Sequence, residues 1–313
     1  MRFDAQISSS SSWEELNKKL TTYTSANKTK LAGDIYERVV QLYLQSDPKY
    51  QSKLKSVWLL SEVTSKIKDK LRLPNQDMGI DLIAETFDGE YWAIQAKYRS
   101  NINETLSLGG AGGLSTFTSL AFHTCKHITH GLVCTTINNP PRNIKLMRNV
   151  GFENAETWLS LDDNNQEAWK RIIQKCKGKI IIPKPMKPRP HQQEAIKEAH
   201  KYFVTNKNER GKLIMPCGTG KSITAFWIAR KLKATSILIA VPSLALLRQT
   251  LNVWTREFLI HKIKPEWICV CSDDSAGSID ADDFVAHTYD LGIECTLSLI
   301  HISEPTRLLS ISY

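Results

Sequence analysis

The stretch Leu213–Ser222, LIMPCGTGKS, constrains this chain most. Leu213, Ile214 and Met215 predict a short apolar strand, the glycines a tight turn, and Lys221-Ser222 the opening of a helix. A turn of that kind aims several backbone N–H groups at one spot, which suits an anion. Gly218 and Gly220 let the backbone bend without a Cβ penalty. Lys221 can then reach the β/γ-phosphates of a nucleotide, and the Ser222 hydroxyl can ligate Mg²⁺. The bland alternative is a Gly-rich turn beside a surface lysine, and the order of strand, loop and helix argues against it.

The strict pattern G-x-x-x-x-G-K-[ST] asks for glycine where this sequence has Met215. Pro216, Cys217, Gly218, Thr219, Gly220, Lys221 and Ser222 instead resemble the phosphate-loop variant of superfamily 2 helicases and translocases. The resemblance implies the first part of a RecA-like parallel-sheet ATPase domain that holds ATP and Mg²⁺. RPHQQEAIKEAH (189–200) predicts a helix. Its start, RPHQ, resembles the motif in which that superfamily reads adenine, which implies this role for Gln192, with Gln193 as a near competitor. SILIAVP (236–242) is the continuous apolar strand that a parallel sheet buries on both faces. PSLALLRQT (242–250) resembles motif Ia, which implies contacts from Ser243 and Arg248 to a nucleic-acid backbone. A plain helix surface is the other reading of Arg248. WICVCS (267–272) predicts the next strand.

The first half carries a different pattern. Ser12 and Glu15 suggest a capping box for a helix over WEELNKKLTTY, and KLAGDIYERVVQLYLQ (30–45) predicts a second helix. VWLLSEV (57–63) predicts a strand. GIDLIAET (79–86) and YWAIQAKY (91–98) flank the turn signal Asp88-Gly89, so they predict a hairpin. With alternating side chains, Asp81 shares a face with Ile83 and Glu85, and Gln95 shares one with Lys97. The hairpin can therefore gather Asp81, Gln95 and Lys97 at one end. Asp81, the Gln95 amide and the Ala96 carbonyl offer hard oxygen ligands to Mg²⁺, and Lys97 beside them can position a water and offset phosphate charge.

D-x13-Q-x-K here resembles the D-(D/E)-x-K nuclease core in its Mrr-like form, with Gln95 in place of the second acid. The resemblance implies a restriction-endonuclease-like mixed-sheet domain of α-β-β-β-α-β order. It adds Glu37, from GDIYE on the first core helix, to the catalytic set of Asp81, Gln95 and Lys97. A solvated helix charge is the bland reading of Glu37. GLVCTTI (131–137) predicts a buried strand, the glycine-rich 108–114 a mobile connection or a DNA-proximal loop, and 163–176 a final helix.

The chain order is thus an N-terminal mobile segment and helix (1–29), a nuclease domain (30–176), a Pro- and Lys-rich linker (177–188) and an ATP-binding domain (189–296). Net charge is +9, from 41 Lys and Arg against 32 Asp and Glu, which favours a polyanion partner. The seven cysteines show no C-x-x-C spacing, which argues against a zinc or disulfide framework and fits a reducing compartment. With no apolar run of membrane length and no signal-peptide order at the start, a cytoplasmic protein is expected. LSLIHISEPTR (297–307) back-translates readily to a transposon-type sequencing adapter read in frame. Residues 297–313 are therefore expected to be foreign to the natural protein and to pack poorly. No D-E-x-[HD] motif follows the phosphate loop, so the superfamily 2 resemblance implies that ATP is bound rather than hydrolysed.

The pairing of nuclease and motor resembles the N-terminal part of Type ISP restriction–modification enzymes. That resemblance implies a Mg²⁺-dependent endonuclease coupled to an ATP-driven translocase on duplex DNA, with methyltransferase and target-recognition domains further along. The alternatives are a phage-defence or methylation-dependent nuclease-helicase without a methyltransferase, and a DNA-binding module that has lost cutting activity.

Overall fold

Strands mostly buried on both faces build a five-stranded sheet in the first half of the chain. The structure, a computed structural model, describes residues 3–74, 79–109, 113–139, 141, 149–179, 182–271 and 287–296, together with the backbone of 309–312. The chain divides into two compact units. In the first, α1 (Asp4–Ser8), α2 (Trp13–Ser25), α3 (Thr29–Ser46) and α4 (Pro48–Lys53) lead to β1 (Leu54–Leu59). Then come α5 (Ser65–Leu71), β2 (Leu82–Thr86), β3 (Tyr91–Lys97), α6 (Leu114–Ser119), β4 (Ile128–Thr135) and β5 (Val150–Glu153). Helices α7 (Ala155–Leu159) and α8 (Asp163–Cys176) follow.

The strand order is β1-β2-β3-β4-β5. The first two pairings are antiparallel and the last two parallel. From α3 to β4 the succession includes the expected α-β-β-β-α-β core. One sheet face, with Ile83, Ala93, Val133 and Phe152, packs under Phe117 and Leu120. Along the other face runs α3, and there Trp92 meets Tyr50 edge-on. Trp13, Tyr36, Tyr43 and Trp158 meet in tilted and edge-on contacts around α3. Burying each such ring stabilises the unit by roughly 1.5–3 kcal/mol.

Several local expectations need correction. The start is not loose: α1 places Ile7 in the core at 0% exposure, and Trp169 donates to the Ser10 carbonyl at 3.0 Å. Half of the capping box forms, with the Ser12 hydroxyl accepting from the Glu15 N–H at 3.0 Å. Glu15 itself turns to Ser11. Asp162, distant in sequence, accepts from the Trp13 and Glu14 N–H groups, so α2 is capped through tertiary structure. Strand β1 starts before Val57 and ends at Leu59, because the Glu62 carboxylate takes the Leu59 N–H at 3.1 Å and tightens 60–62 into a 3₁₀ turn. Helix α8 covers the expected span, but Asn164, Asn165 and Gln166 have φ of +50°, +59° and +61°. Residues 110–112 of the glycine-rich stretch lie outside the described residues.

Residues 266–269 and 287–295 complete this unit. Lys49 Nζ lies 2.7 Å from the Glu153 carboxylate and donates to the Leu291 carbonyl at 2.9 Å. Tyr50 hydrogen-bonds both Glu153 and the Gly292 carbonyl. Gly292 sits at φ +61°, and a Cβ there would fall 2.5 Å from Glu153 Oε1, so only glycine fits.

Beneath this network His130 is buried 4.6 Å from Trp92, with no hydrogen-bond partner on either ring nitrogen. Burial pushes its pKa down to about 3. The unfolded chain therefore binds a proton that the folded chain refuses. His130 contributes full stability above its ordinary value near 6.5 and loses it as pH falls toward 3. Urea unfolding is expected to show about 2 kcal/mol less stability at pH 5 than at pH 7, with a smaller difference in His130→Phe.

The second unit holds α9 (Pro190–His200), α10 (Lys221–Lys231), β6 (Ile237–Ala240) and α11 (Leu244–Ile260). Phe226, Trp254 and Phe258 form its core. Leu213–Met215 is not a strand: no described strand pairs with it, and Leu213 and Ile214 stand 51% and 79% exposed. A strand needs a neighbour for its N–H and C=O groups. Strand β6 alternates half-buried and exposed residues rather than burying both faces. Its described partner is the backbone of Leu309–Ser312, in parallel. The packing expectation covers all of 297–313: 309–312 pairs with β6 through its backbone, against that expectation, and the remaining residues lie outside the described residues. Among the described residues of WICVCS, only Cys269–Val270 forms a strand. Among the described residues no helix is long and apolar enough to cross a membrane.

Candidate active site and nucleotide loop

The hairpin of β2 and β3 builds the first site. Its register sets Leu82 opposite Ile94, and the Asp81 N–H donates to the Ile94 carbonyl at 2.9 Å. Asp81 therefore stands just beyond the paired end of β2, opposite Gln95. The Asp81 carboxylate accepts the Ala96 N–H at 2.6 Å. In an extended strand a residue's N–H and C=O point the same way, so the Ala96 carbonyl also faces the Asp81 side.

Gln95 is 1% exposed. Its amide nitrogen donates to the Gly79 carbonyl at 2.8 Å, which fixes the orientation of the amide. Gln95 Oε1 is left buried with no hydrogen-bond partner. Such an atom is costly unless something binds it. A hard cation beside Asp81 fits that requirement, and the oxygen donor set suits Mg²⁺.

Lys97, half-buried, follows Gln95 on the same strand face. Glu37 stands half-buried on α3, in the layer that runs along β3. The structure thus brings Asp81, Gln95 and the Ala96 backbone into one hydrogen-bonded corner and aligns Lys97 beside it by strand alternation. The role of Glu37 rests on the family resemblance.

The phosphate loop has the predicted bend. Gly218 and Gly220 take φ of +75° and +81°. Thr219 closes the loop by donating to the Pro216 carbonyl at 2.7 Å, and Cys217 is exposed within it. Lys221 opens α10. Ser222 Oγ is buried without a hydrogen-bond partner, as a hydroxyl that ligates an ion with bound nucleotide would be. Its carbonyl accepts from the Trp254 indole at 3.2 Å.

Gln192 is a strut under this loop. Its amide donates to the Thr219 carbonyl at 2.9 Å, and its oxygen accepts from the Arg189 N–H at 2.8 Å. A Cβ on Gly220 would lie 2.7 Å from that amide nitrogen. Gln193 instead donates to the Pro188 carbonyl. The links from Gln192 and Trp254 to the loop are invisible in the sequence, since nothing in spacing pairs residues so far apart. The Ser243 hydroxyl caps α11 by accepting from the Leu246 N–H at 3.3 Å, while Arg248 lies half-buried on that helix.

Residues 45–159 match the family described as restriction endonuclease, and residues 185–283 the family described as Type III restriction enzyme, res subunit. No curated protein matches the chain in sequence. Among solved structures, the "ATP-dependent Type ISP restriction-modification enzyme LlaBIII bound to DNA" superposes with a TM-score of 0.64 at 22% identity, over 97% of this chain. This chain spans 18% of the length of that one, and at such identity the likeness is one of fold. The chain therefore joins a restriction-endonuclease domain to a helicase-type domain of the res-subunit family, the domain pair of a nuclease with a helicase-type ATPase.

Proposed function

We propose that the chain hydrolyses phosphodiester bonds of duplex DNA with Mg²⁺ and carries ATP-binding machinery of a superfamily 2 translocase, as part of a Type ISP-like restriction enzyme. The observation that carries the nuclease reading is Gln95 Oε1, buried and unpartnered beside Asp81. Asp81, Gln95 and the Ala96 carbonyl would hold the ion. When bound, Mg²⁺ supplies positive charge to a scissile phosphate and acidity to a bound water. Lys97 orients the attacking water and offsets charge as it develops on the phosphate. Glu37 helps to position water or metal. In a complete enzyme of this kind, methyltransferase and target-recognition domains would follow.

In the second unit, Lys221 and the loop amides would hold ATP, the Ser222 hydroxyl would ligate its Mg²⁺, and Gln192 braces the loop. Lys221→Ala is expected to weaken binding of a fluorescent ATP analogue about 10- to 100-fold, the loss of a charge-assisted hydrogen bond worth about 1.5–3 kcal/mol. An unchanged affinity would remove Lys221 from the nucleotide site.

Supercoiled plasmid incubated with the full chain tests the nuclease reading. Nicked and linear DNA should form with Mg²⁺ and not with EDTA. Plasmid that is bound but never cut, whatever the divalent ion, would favour a DNA-binding module without catalysis.

A further inference from the structure

We propose that α5 and the turn after α6 form a basic shelf that grips the phosphate backbone of duplex DNA along the sheet face that carries the catalytic corner. The proposal rests on the DNA-cutting reading and adds to it the surface that holds the substrate. Lys66, Lys70, Arg72 and Lys126 are exposed, and Lys68 is half-buried among them. The two pieces are joined: the Lys126 N–H donates to the Leu71 carbonyl at 2.9 Å, and Cys125 Sγ lies 3.9 Å from the Arg72 carbonyl. Asp69 is the one carboxylate within residues 65–72 and 123–127.

The density of cations on two joined segments carries the argument. Several cations elsewhere in the unit have a carboxylate beside them: Lys18 has Glu14, Lys19 Glu15, Arg38 Asp4, Lys53 Asp88, Lys55 Glu85 and Arg99 Glu104. Among the described residues no carboxylate pairs with Lys66, Lys68, Lys70, Arg72 or Lys126; Lys70 instead lies 4.7 Å from the Tyr91 ring centre. Lys66 and Lys70 are like charges one helical turn apart, an arrangement that destabilises an isolated helix. Lys68 and Lys70 suit the negative end of the α5 dipole, which does not account for Lys66, Arg72 or Lys126.

The shelf shares a sheet face with the catalytic corner and extends toward the hairpin-turn end of it, where Lys70 lies over Tyr91 and Lys126 precedes β4. Ile67 and Leu71 of α5 pack with Ile83, Tyr91 and Ala93, the sheet face that Asp81, Gln95 and Lys97 share. Closely spaced, unneutralised cations on that face match a polyanion with regularly spaced phosphates.

The test uses the full chain in EDTA, with anisotropy of a labelled duplex read over a range of salt concentrations. Lys66→Ala/Lys70→Ala/Lys126→Ala is expected to reduce the slope of log K against log salt by about 2 to 3, roughly 0.9 for each phosphate that is no longer neutralised. A control variant with the same change in net charge, Lys18→Ala/Lys19→Ala/Lys55→Ala, should keep the wild-type slope. An unaltered slope in the shelf variant, an equal loss in the control, or no DNA binding by the wild-type chain overturns the shelf. Plasmid cutting by the wild-type chain in Mg²⁺ is read separately. Shelf-dependent binding without cutting sinks the nuclease reading and keeps the shelf, whereas cutting with no shelf effect does the reverse.

Discussion

Lys97→Met is expected to lower Mg²⁺-dependent DNA cleavage about 10²- to 10³-fold while leaving duplex binding within about twofold, the range seen when a single preorganised transition-state stabiliser is removed. Methionine keeps most of the apolar stem and removes only the charge. Among the described residues no carboxylate pairs with Lys97, so no buried partner is stranded by the change. Its flank is held by others: the Lys97 carbonyl accepts from the Thr135 hydroxyl at 3.1 Å, and β3 stays paired to β4. The thermal midpoint should therefore hold. Cleavage that survives at near wild-type rate would place the chemistry elsewhere. Loss of cutting together with a large fall in the midpoint would mark Lys97 as structural, and Lys97→Arg, which keeps the charge but not the shape, should then restore stability.

The largest expected effect on folding comes from Lys49→Met. The Lys49 and Glu153 side chains are 6% and 1% exposed. Removing the ammonium leaves a buried carboxylate without that counter-charge beside the Tyr50 and Thr157 hydroxyls, and the Leu291 carbonyl loses its donor. Breaking one partner of such a pair typically costs about 3–5 kcal/mol. Urea unfolding should show that loss, and Lys49→Met/Glu153→Gln should recover part of it, because a neutral amide can be buried more cheaply than an unpaired charge. A loss below about 1 kcal/mol would mean that solvent reaches Glu153 and that 287–295 is not fastened there.

The sequence made the β2–β3 hairpin legible because every signal for it is local. Asp88-Gly89 sets the turn, alternation sets the faces, and together they put Asp81 opposite Gln95. The phosphate loop was legible for the same reason, since Gly218 and Gly220 must take positive φ. What escaped was long-range. Asp162 caps α2, Gln192 braces Thr219, and Lys49 reaches Leu291, and none of these pairings leaves a spacing to read. Leu213–Met215 failed as a strand although its residues suit one, because a strand is defined by its neighbours as much as by its side chains. The family resemblance supplied Glu37, whose composition and position on α3 would alone have read as an ordinary helix charge.

The measurement that bears most directly on the central claim is Mn²⁺ binding to the full chain without nucleotide, followed by the fall in the free ion's paramagnetic signal. One ion per chain should bind, and Asp81→Asn and Gln95→Leu should each weaken it by about tenfold or more, since the first removes the ligand's negative charge and the second an oxygen ligand. Ser222→Ala should change nothing until ATP is added. Binding that is unaltered in both hairpin variants, or absent in the wild-type chain, would contradict a metal-dependent nuclease centre at Asp81 and Gln95.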